Sequence, residues 1–504
     1  MENTNYIVGI DIGSSNIVMA VGSMSADGKV VLKAIAQTPS QGVNAGSIEN
    51  INQLSECINT VKEEIEKKLS IRITEAYASI SGSYIRCAPL QDHVHVRDYQ
   101  SGVAQSDVDD LYARMKGVSA PDNEAILEYI PQNFCVDNRE VKDPVGSFGR
   151  RLSSTFNFIL CNETPLKRLS MTFKRSGLQL TNTFPNSRIM GNPLLTDDER
   201  MEGVAIVDIG GYTTDVAVYH GNTLRHIATI PIGGNSINRD IHLHGVPERS
   251  VERLKRDYGS AIAEYIPEKK LIHVPSMSHH SNGGVLRRNL ASIIEARLTD
   301  IAEYVKLEIK DSGYSSKLSY GIVLTGGSSV IPHIDELFHR VTGHNVRMAS
   351  VDLGEIAESL TDCNYPACTA VVALLMKASE QRPFSTMATN VTMRPTPPFV
   401  GGITTINTST GATVPQNAGI GSTAVNGGKS TTTHPTVGTT TSVTENTNTD
   451  NKNENSGDDD QPKSNEESGQ TIQRRRGFNF GKAIDSITDW INKRFEKSPE
   501  DEEI

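Results

Sequence analysis

The sequence predicts an α/β protein with two similar lobes that bind one nucleotide between them, because two related segments occur far apart in the chain. Each segment is an apolar, β-branched run followed by an Asp and then by a turn that contains glycine and hydroxyl residues. The run is typical of a buried strand, and the glycine lets backbone N–H groups approach an anionic ligand. Two copies predict a pseudo-duplicated fold that holds one phosphate chain from both sides.

The first segment lies near the N-terminus and reads IVGIDIGSS over residues 7–15. Asp11 follows the apolar run, at a position where its carboxylate can hold Mg²⁺ through water. The turn after it supplies the candidate phosphate-binding residues, which are Gly13, Ser14, Ser15 and Asn16.

The second segment reads AIVDIGGYTT over residues 205–214. Asp208 is the second candidate for holding Mg²⁺ through water, by the same argument as Asp11. The candidate phosphate-binding residues of this turn are Gly210, Gly211 and Thr213.

Three further motifs extend the predicted nucleotide site. Gly233 and Gly234 open a predicted helix, whose N-terminal N–H groups suit a phosphate. On the next predicted helix, Glu252, Lys255 and Arg256 have the spacing of one face and can grip a base and ribose. A third strand ends in the pair Gly326 and Gly327, which lets an adenosine approach the backbone closely. A single Gly-Gly pair is usually a plain turn, but all of these motifs in order favour a nucleotide site.

Composition limits the function classes. At 504 residues the chain has room for two to four domains, and its net charge of −11 argues against a general nucleic-acid binder. Asp11 interrupts the first apolar run, so that run is not a signal peptide, and no apolar run is long enough to cross a membrane. The six cysteines lack metal-site spacing and predict free thiols in a reducing compartment. A cytosolic or peripheral protein is expected.

The last quarter of the chain predicts a tether and an amphipathic helix. Residues 401–477 contain no aromatic residue and are rich in Thr, Asn, Gly and Ser, which predicts a disordered linker. Residues 474–497 carry seven basic and three acidic side chains. The apolar residues at helical spacing, with the flanking Trp, are Phe480, Ile484, Ile487, Trp490, Ile491 and Phe495. A basic helix behind a tether favours a membrane surface over docking on the globular body.

Taken in order, the phosphate and adenosine motifs resemble those of the actin/chaperone/sugar-kinase superfamily. Within it the chain resembles the FtsA family of bacterial cell division proteins. The stretches that carry this narrower resemblance are YIPQNFCVD (129–137), DPVG (143–146), LTDDER (195–200) and LRH (224–226). The resemblance implies an actin-like fold of α/β class in which an α+β subdomain particular to this family is inserted into the first lobe.

The resemblance also implies a division of the chain into segments. The first lobe is expected at 1–83 and 165–200, and the inserted subdomain at 84–164. The second lobe is expected at 201–382, with its own insertion near 225–310 and a return to the first lobe. The predicted remaining segments are the linker at 383–472, the membrane-targeting helix at 473–497 and an acidic tail at 498–504.

Function and partners follow from the same resemblance. The family binds ATP and Mg²⁺, polymerises like actin, and anchors filaments of the tubulin homologue FtsZ to the cytoplasmic side of the inner membrane at the division site. It also recruits later division proteins. The C-terminal peptide of FtsZ is expected to bind the insertion near 225–310. The alternatives are a small-molecule kinase or a pilus or shape-determining actin relative of the same superfamily; the inserted-subdomain signature disfavours them.

Two residues depart from the pattern of hydrolytic relatives. Tyr212 stands where many relatives have a third glycine, and it crowds the phosphate side of the second turn. In the stretch from Phe184 to Arg188 there is no carboxylate to orient an attacking water, and Asn186 cannot act as a base. The sequence therefore predicts ATP binding with at most slow hydrolysis.

Overall fold

The structure is a computed structural model that describes residues 6–25, 29–274, 284–349 and 368–381. The predicted linker, membrane-targeting helix and acidic tail lie outside the described residues, together with the six membrane candidates between Phe480 and Phe495.

Within these ranges the chain alternates between strands and helices. The strands are β1 Tyr6–Ile12, β2 Asn16–Met24, β3 Val30–Pro39, β4 Val43–Asn44, β5 Ser47–Ile48, β6 Glu75–Ile80, β7 Ile85–His95, β8 Glu124–Val136, β9 Arg139–Val141, β10 Arg151–Asn162, β11 Gln179–Pro185, β12 Val204–Ile209, β13 Thr214–His220, β14 Thr223–Ile230, β15 Leu271–His273, β16 Gly284–Leu286, β17 Ile322–Thr325 and β18 Val346–Met348. The α-helices are α1 Ile51–Leu69, α2 Gln105–Lys116, α3 Glu163–Arg175, α4 Asn186–Ile189, α5 Gly191–Leu194, α6 Asp197–Glu202, α7 Gly234–Leu243, α8 Glu248–Tyr258, α9 Arg287–Asp311, α10 Ile334–Thr342 and α11 Thr369–Gln381.

Two five-stranded sheets of the same topology form the two lobes. The first sheet has the order β3-β2-β1-β6-β11, and the second has the order β14-β13-β12-β17-β18. In each sheet the first strand pairs antiparallel with the next strand on one side and parallel with a later strand on the other. This repeat confirms the pseudo-duplicated α/β fold predicted from the two phosphate-type segments.

Helices cover the first sheet closely. The side chain of Asn50 caps α1 by accepting hydrogen bonds from the backbone N–H groups of the first turn. Helix α11 returns to the first lobe and is apolar nearly all round, as expected for a buried helix. A Cβ on Gly9 of β1 would lie 3.0 Å from the side chain of Leu374. The glycine therefore lets α11 sit directly on the strand that leads into the first turn.

A separate four-stranded antiparallel sheet, in the order β7-β10-β8-β9, forms the inserted subdomain with helix α2. It has its own apolar core, in which Leu111 and Met115 of α2 meet Leu152 and Phe156 of β10. This core makes the insertion a compact α+β unit, in agreement with the predicted fold class.

The second lobe packs four helices around its sheet. Apolar residues of α7, α8, α9 and α10 share one core with β12, β13 and β17. Arg297 of α9 is buried and forms a bidentate ion pair with Asp240 of α7, with distances of 2.7 and 3.2 Å. This pair fixes α7, whose N-terminus reaches the cleft between the lobes.

The inserted subdomain contacts the second lobe through two stretches that the sequence analysis singled out separately. Arg225 of β14 donates hydrogen bonds to the side chains of Gln132 and Asn133 on β8, at 3.2 and 2.8 Å. In return, Gln132 donates to the carbonyl of Leu224, and Asn157 donates to the carbonyl of Arg225. The stretches 129–137 and 224–226, which both carry the family resemblance, thus form one interface.

The cysteines test one expectation from the sequence. Cys57, Cys87, Cys135 and Cys161 are free thiols as predicted, but Cys368 is disulfide-bonded, so the prediction of six free thiols is wrong there. Among the helices that the structure describes, none combines the length and apolar character needed to cross a bilayer.

Candidate nucleotide site

A cavity of about 510 Å³ opens between the lobes, where β1 and β12 end side by side in the duplicated fold. Fourteen of the sixteen predicted nucleotide-site residues line it; they are Asp11, Gly13, Ser14, Ser15, Asn16, Asp208, Gly210, Gly211, Thr213, Gly234, Glu252, Lys255, Gly326 and Gly327. Gly233 and Arg256 are not among the lining residues. Motifs that are more than three hundred residues apart in the chain therefore converge on one cleft.

The two phosphate-type turns face each other across this cleft. A Cβ on Gly211 would lie 1.9 Å from the Ser15 hydroxyl oxygen, so a larger residue there would force the Ser15 side chain to move. Ser81, at the end of the first sheet, has its hydroxyl 3.0 Å from that of Thr213 in the second turn. Small and hydroxyl residues therefore surround a space of the size and polarity that a phosphate chain requires.

The second turn is held by hydrogen bonds from the N-terminus of α7 and from Ser328. The carbonyl of Gly210 accepts hydrogen bonds from the N–H of Gly234 and from the hydroxyl of Ser328, both at 2.9 Å. A Cβ on Gly233 would lie 2.7 Å from the same carbonyl oxygen. Gly233 thus sets the approach of the α7 N-terminus to the turn although it does not line the cavity.

The carboxylate of Asp11 is buried in the cleft, where uncharged side chains donate hydrogen bonds to it. Its Oδ1 accepts hydrogen bonds from the Ser79 hydroxyl at 2.7 Å and from the Asn186 amide at 3.3 Å. Burial raises the pKa of Asp11, and these two hydrogen bonds oppose the rise. For Asp208, burial and the nearby charges of Asp215 and Asp11 raise the pKa well above its ordinary range.

A third buried carboxylate, that of Asp215, completes the acidic group and was not predicted from the sequence. It lies on β13 directly opposite Asp208, whereas the equivalent position of the first hairpin, opposite Asp11, is occupied by Val18. Thr229 donates a hydrogen bond to its Oδ1 at 2.5 Å. Burial raises the pKa of Asp215 to about 6 although hydrogen bonds from Ser81 and Thr229 oppose it. Comparing the two hairpins position by position would have revealed this residue.

The donor set fits a hydrated divalent cation. Three carboxylates lie within one cleft, and no basic side chain of the described residues forms an ion pair with them, which favours binding of a cation that relieves their repulsion. The buried Oδ1 of Asn186 has no hydrogen-bond partner and could accept from a metal-bound water. In the described part of the chain no three His, Cys, Asp or Glu side chains are close enough to ligate a metal directly. Asp11 and Asp208 remain the candidates for holding Mg²⁺ through water.

The side of the cavity formed by α7 and α8 suits a nucleoside. Lys255 is buried, and its ammonium group lies 2.8 Å from Glu252 and 3.2 Å from the carbonyl oxygen of Gly234. Burial would raise the pKa of Glu252, but the contact with Lys255 has the larger effect, so the pKa of Glu252 is lowered. Asn238 donates to Glu252 at 2.6 Å and also lines the cavity. By contrast, the exposed Arg256 pairs with Asp257 on the same helix.

The turn that contains Gly326 and Gly327 packs against the carboxylate of Asp208. Gly326 has a φ of +94°, and a Cβ there would lie 2.2 Å from Oδ1 of Asp208. Both the backbone conformation and the close approach require glycine. The turn that follows β17 therefore packs directly against Asp208.

Comparisons with known proteins identify the family. The family model for cell division protein FtsA matches residues 205–373, and the model for the SHS2 domain inserted in FtsA matches residues 82–160. Cell division protein FtsA of Pseudomonas aeruginosa is 31% identical over 379 residues, which are 75% of this chain and 90% of that protein. The protein of the same name from Escherichia coli is 30% identical over 353 residues, covering 68% and 84% respectively. The chain belongs to the FtsA family of cell division proteins.

Membership in the FtsA family agrees with the architecture. PilM, in the structure of the PilM–PilN type IV pilus biogenesis complex, has the same fold, with a TM-score of 0.52 at 14% identity; 74% of this chain and 98% of that chain are covered. The predicted actin-like fold with an inserted subdomain is therefore confirmed. The SHS2 match falls on the four-stranded subdomain of β7 to β10.

The two residues that the sequence analysis gave as departures from hydrolytic relatives both lie at the cleft. Tyr212 lines the cavity beside the second turn, as expected from its place in the sequence. Asn186 follows β11 directly and is buried against Asp11, where it offers an amide and no carboxylate. The site holds no group at this position that could remove a proton from water.

Proposed function

We propose that this FtsA-family chain is an ATP-binding adaptor that anchors FtsZ filaments to the cytoplasmic side of the inner membrane at the division site. The observation that carries the proposal is the single cleft in which both turns of the duplicated fold meet beside Asp11 and Asp208. The basic amphipathic helix predicted at 473–497 supplies the membrane contact in this proposal.

In this proposal the nucleotide binds across the cleft. The phosphates lie between the turns 13–16 and 210–213, against the N-terminus of α7, and Mg²⁺ is held through water by Asp11 and Asp208, with Asp215 nearby. The cation would neutralise phosphate charge. Glu252, Lys255 and the glycine pair 326–327 surround the nucleoside. The chain's own part is to orient these groups and to exclude bulk water.

Hydrolysis is slow in this proposal. Asn186 can orient a water through its amide but cannot accept a proton from it, and Tyr212 occupies space beside the phosphates. The bound ATP then serves mainly to hold the two lobes together in the form that assembles. Assembly would give an actin-like filament of this chain.

The membrane contact in this proposal is reversible. Each apolar side chain of the predicted helix contributes about 1.5–3 kcal/mol when buried in lipid, and each basic side chain adds about 1 kcal/mol on an anionic surface. A predicted linker of ninety residues, 383–472, spans roughly 50 Å and lets the globular body reach filaments at a distance. Clustering of several chains on one filament would strengthen the attachment.

The proposed surface for the FtsZ C-terminal peptide lies in the stretch 225–310. This stretch exposes apolar side chains that could pack against a peptide, among them Leu243 at 74% and Leu271 at 52% exposure. Later division proteins are further proposed partners. The division of the chain into segments, as predicted from the sequence, is part of the same proposal.

Co-sedimentation with vesicles tests the adaptor function. Full-length protein and a truncation after residue 472 are each mixed with FtsZ polymers and anionic vesicles. We expect the full-length protein to carry FtsZ into the vesicle pellet and the truncation to leave both in the supernatant. Pelleting of the truncated protein with vesicles, or failure of vesicle-bound full-length protein to retain FtsZ, would contradict the proposal.

A further inference from the structure

The one-turn helix α4 lies where the nucleotide cleft, the inserted subdomain and the second lobe meet. Its first residue, Asn186, donates to Asp11 in the cleft. Two residues later, Arg188 reaches the opposite way and contacts Glu128 on β8 of the inserted subdomain. A shift of the helix must therefore move both contacts together.

The contact between Arg188 and Glu128 is suited to fix a position. It is bidentate, with Nε at 2.7 Å from Oε2 and Nη2 at 2.8 Å from Oε1, which restrains both the distance and the plane of the two groups. The side chain of Arg188 is only 16% exposed. The pair is thus better shielded from water and salt than an ordinary surface ion pair.

The second lobe also contacts α4. The buried hydroxyl of Tyr219 on β13 lies 3.4 Å from the carbonyl oxygen of Arg188. A Cβ on Gly191, just after α4, would lie 2.3 Å from the same hydroxyl, so the packing there leaves no free space. The inserted subdomain is held on the second lobe as well, by Arg225 against Gln132 and Asn133. The helix is therefore clamped on all three sides.

We propose that Glu128 is a positioning residue for the Mg²⁺-nucleotide site, acting through Arg188 and α4 on the contact between Asn186 and Asp11. The placement of the inserted subdomain and the occupancy of the cleft are then energetically coupled. The inference rests on the proposed nucleotide site. It adds a chain of contacts through which the position of the inserted subdomain affects that site.

Coupling of this kind is reciprocal, so a change on the inserted subdomain must appear as a change in nucleotide affinity. Because the route ends at Asp11, the change should appear in the part of the affinity that depends on Mg²⁺. Couplings between sites typically alter affinity by roughly 5-fold to 150-fold. A purely structural weakening would instead lower affinity with and without the metal alike.

The chain offers a matched control on the same strand. Glu124, also on β8, forms a bidentate pair with Arg86 of β7 at 2.8 and 2.6 Å, and this pair has no hydrogen bond to the described residues of α4. Glu128→Gln and Glu124→Gln therefore remove the same charge from equivalent pairs, one on the proposed route and one beside it.

The experiment is an equilibrium titration of each full-length variant with ATP, in Mg²⁺ and in EDTA, with thermal unfolding as the check on folding. We expect Glu128→Gln to lower Mg-ATP affinity roughly 5-fold or more and to leave metal-free ATP affinity unchanged, while Glu124→Gln matches wild type. Arg188→Lys, which keeps the charge but loses the paired N–H groups, should reproduce the effect if Glu128→Gln folds poorly.

The positioning role is overturned if wild type binds Mg-ATP and both Glu128→Gln and Arg188→Lys bind it equally well. It is also overturned if they lose affinity equally with and without Mg²⁺, or if Glu124→Gln loses as much. If wild type itself binds no ATP, the proposed nucleotide site fails and this inference fails with it, which is a different result from an unaffected variant.

Discussion

Replacing Asp215 by Asn should stabilise the nucleotide-free protein and weaken its stabilisation by Mg-ATP. In the folded protein this carboxyl is buried beside Asp208 and Asp11, and burial raises its pKa from an ordinary 3.8 to about 6. The folded state therefore holds the proton up to about pH 6, whereas the unfolded chain releases it near pH 4. Stability is lost as the pH rises through this interval, because the unfolded state gains more from ionisation.

The magnitude follows from the two pKa values. At neutral pH the shift costs the folded, nucleotide-free protein on the order of 3 kcal/mol. Asparagine removes this cost. It cannot accept both of the hydrogen bonds that Ser81 and Thr229 give to the carboxylate, and the lost hydrogen bond lowers the stability of the variant by about 1 kcal/mol. The expected net gain is about 2 kcal/mol near pH 7.5 and only about half a kcal/mol at pH 5, where Asp215 is already largely protonated in the folded protein.

Thermal unfolding by differential scanning fluorimetry measures this effect. We expect the Tm of nucleotide-free Asp215→Asn to exceed that of wild type by several degrees at pH 7.5 and by less at pH 5. With saturating Mg-ATP the difference in Tm between Asp215→Asn and wild type should become smaller or change sign. Asp109→Asn, at an exposed position on α2, is the control for the loss of one negative charge. An equal or lower Tm for nucleotide-free Asp215→Asn at pH 7.5 would refute the reasoning.

Three more predictions concern the turn, the chemistry and the membrane. Gly326→Ala should lower Tm and abolish ATP binding. A methyl group there overlaps the carboxylate of Asp208, and the φ of +94° disfavours alanine. Unaltered ATP affinity in a titration would contradict this. Phosphate release should stay below about 1 s⁻¹, since Asn186 is no base; faster turnover would mean that another residue removes the proton. Ile487→Glu or Trp490→Glu should shift the protein from vesicle pellet to supernatant with ATP binding intact, because lipid would have to desolvate the charge. If these variants still pellet but lose thermal stability, the helix packs on the globular body.

Local pattern was enough to predict the duplicated architecture. The apolar runs around Asp11 and Asp208 marked the central strands, and the glycines after them marked the turns, because each signal is contained in about ten consecutive residues. The same holds for the glycine pair that opens α7 and for the pair that follows β17. These features depend on backbone conformation, which neighbouring residues largely determine.

What escaped prediction depends on pairing across the fold. Asp215 looks like an ordinary strand residue until β13 is placed in register with β12, where it comes to lie opposite Asp208. Arg256 has the helical spacing of Glu252, but a contact with its neighbour Asp257 takes its side chain elsewhere. Spacing gives the direction in which a side chain leaves a helix, whereas its partners decide where its charged end lies.

The connection from the inserted subdomain to the cleft was also outside the reach of the sequence. Arg188 and Glu128 are sixty positions apart, and neither belongs to a recognisable motif for the contact they make. Only the tertiary fold brings β8 against α4. Contacts of this kind are set by the packing of whole elements, so they become visible only in the structure.

The central claim is that both halves of the duplicated fold hold one Mg²⁺-nucleotide. Isothermal titration with ATP, with and without Mg²⁺, tests it directly on wild type, Asp11→Asn and Asp208→Asn. The account predicts one site per chain, tighter binding in Mg²⁺ for wild type, and loss of that Mg²⁺-dependent gain in each variant, although the two residues lie on opposite lobes. Binding that is independent of Mg²⁺, or that only one of the two substitutions affects, would contradict a site shared between the lobes.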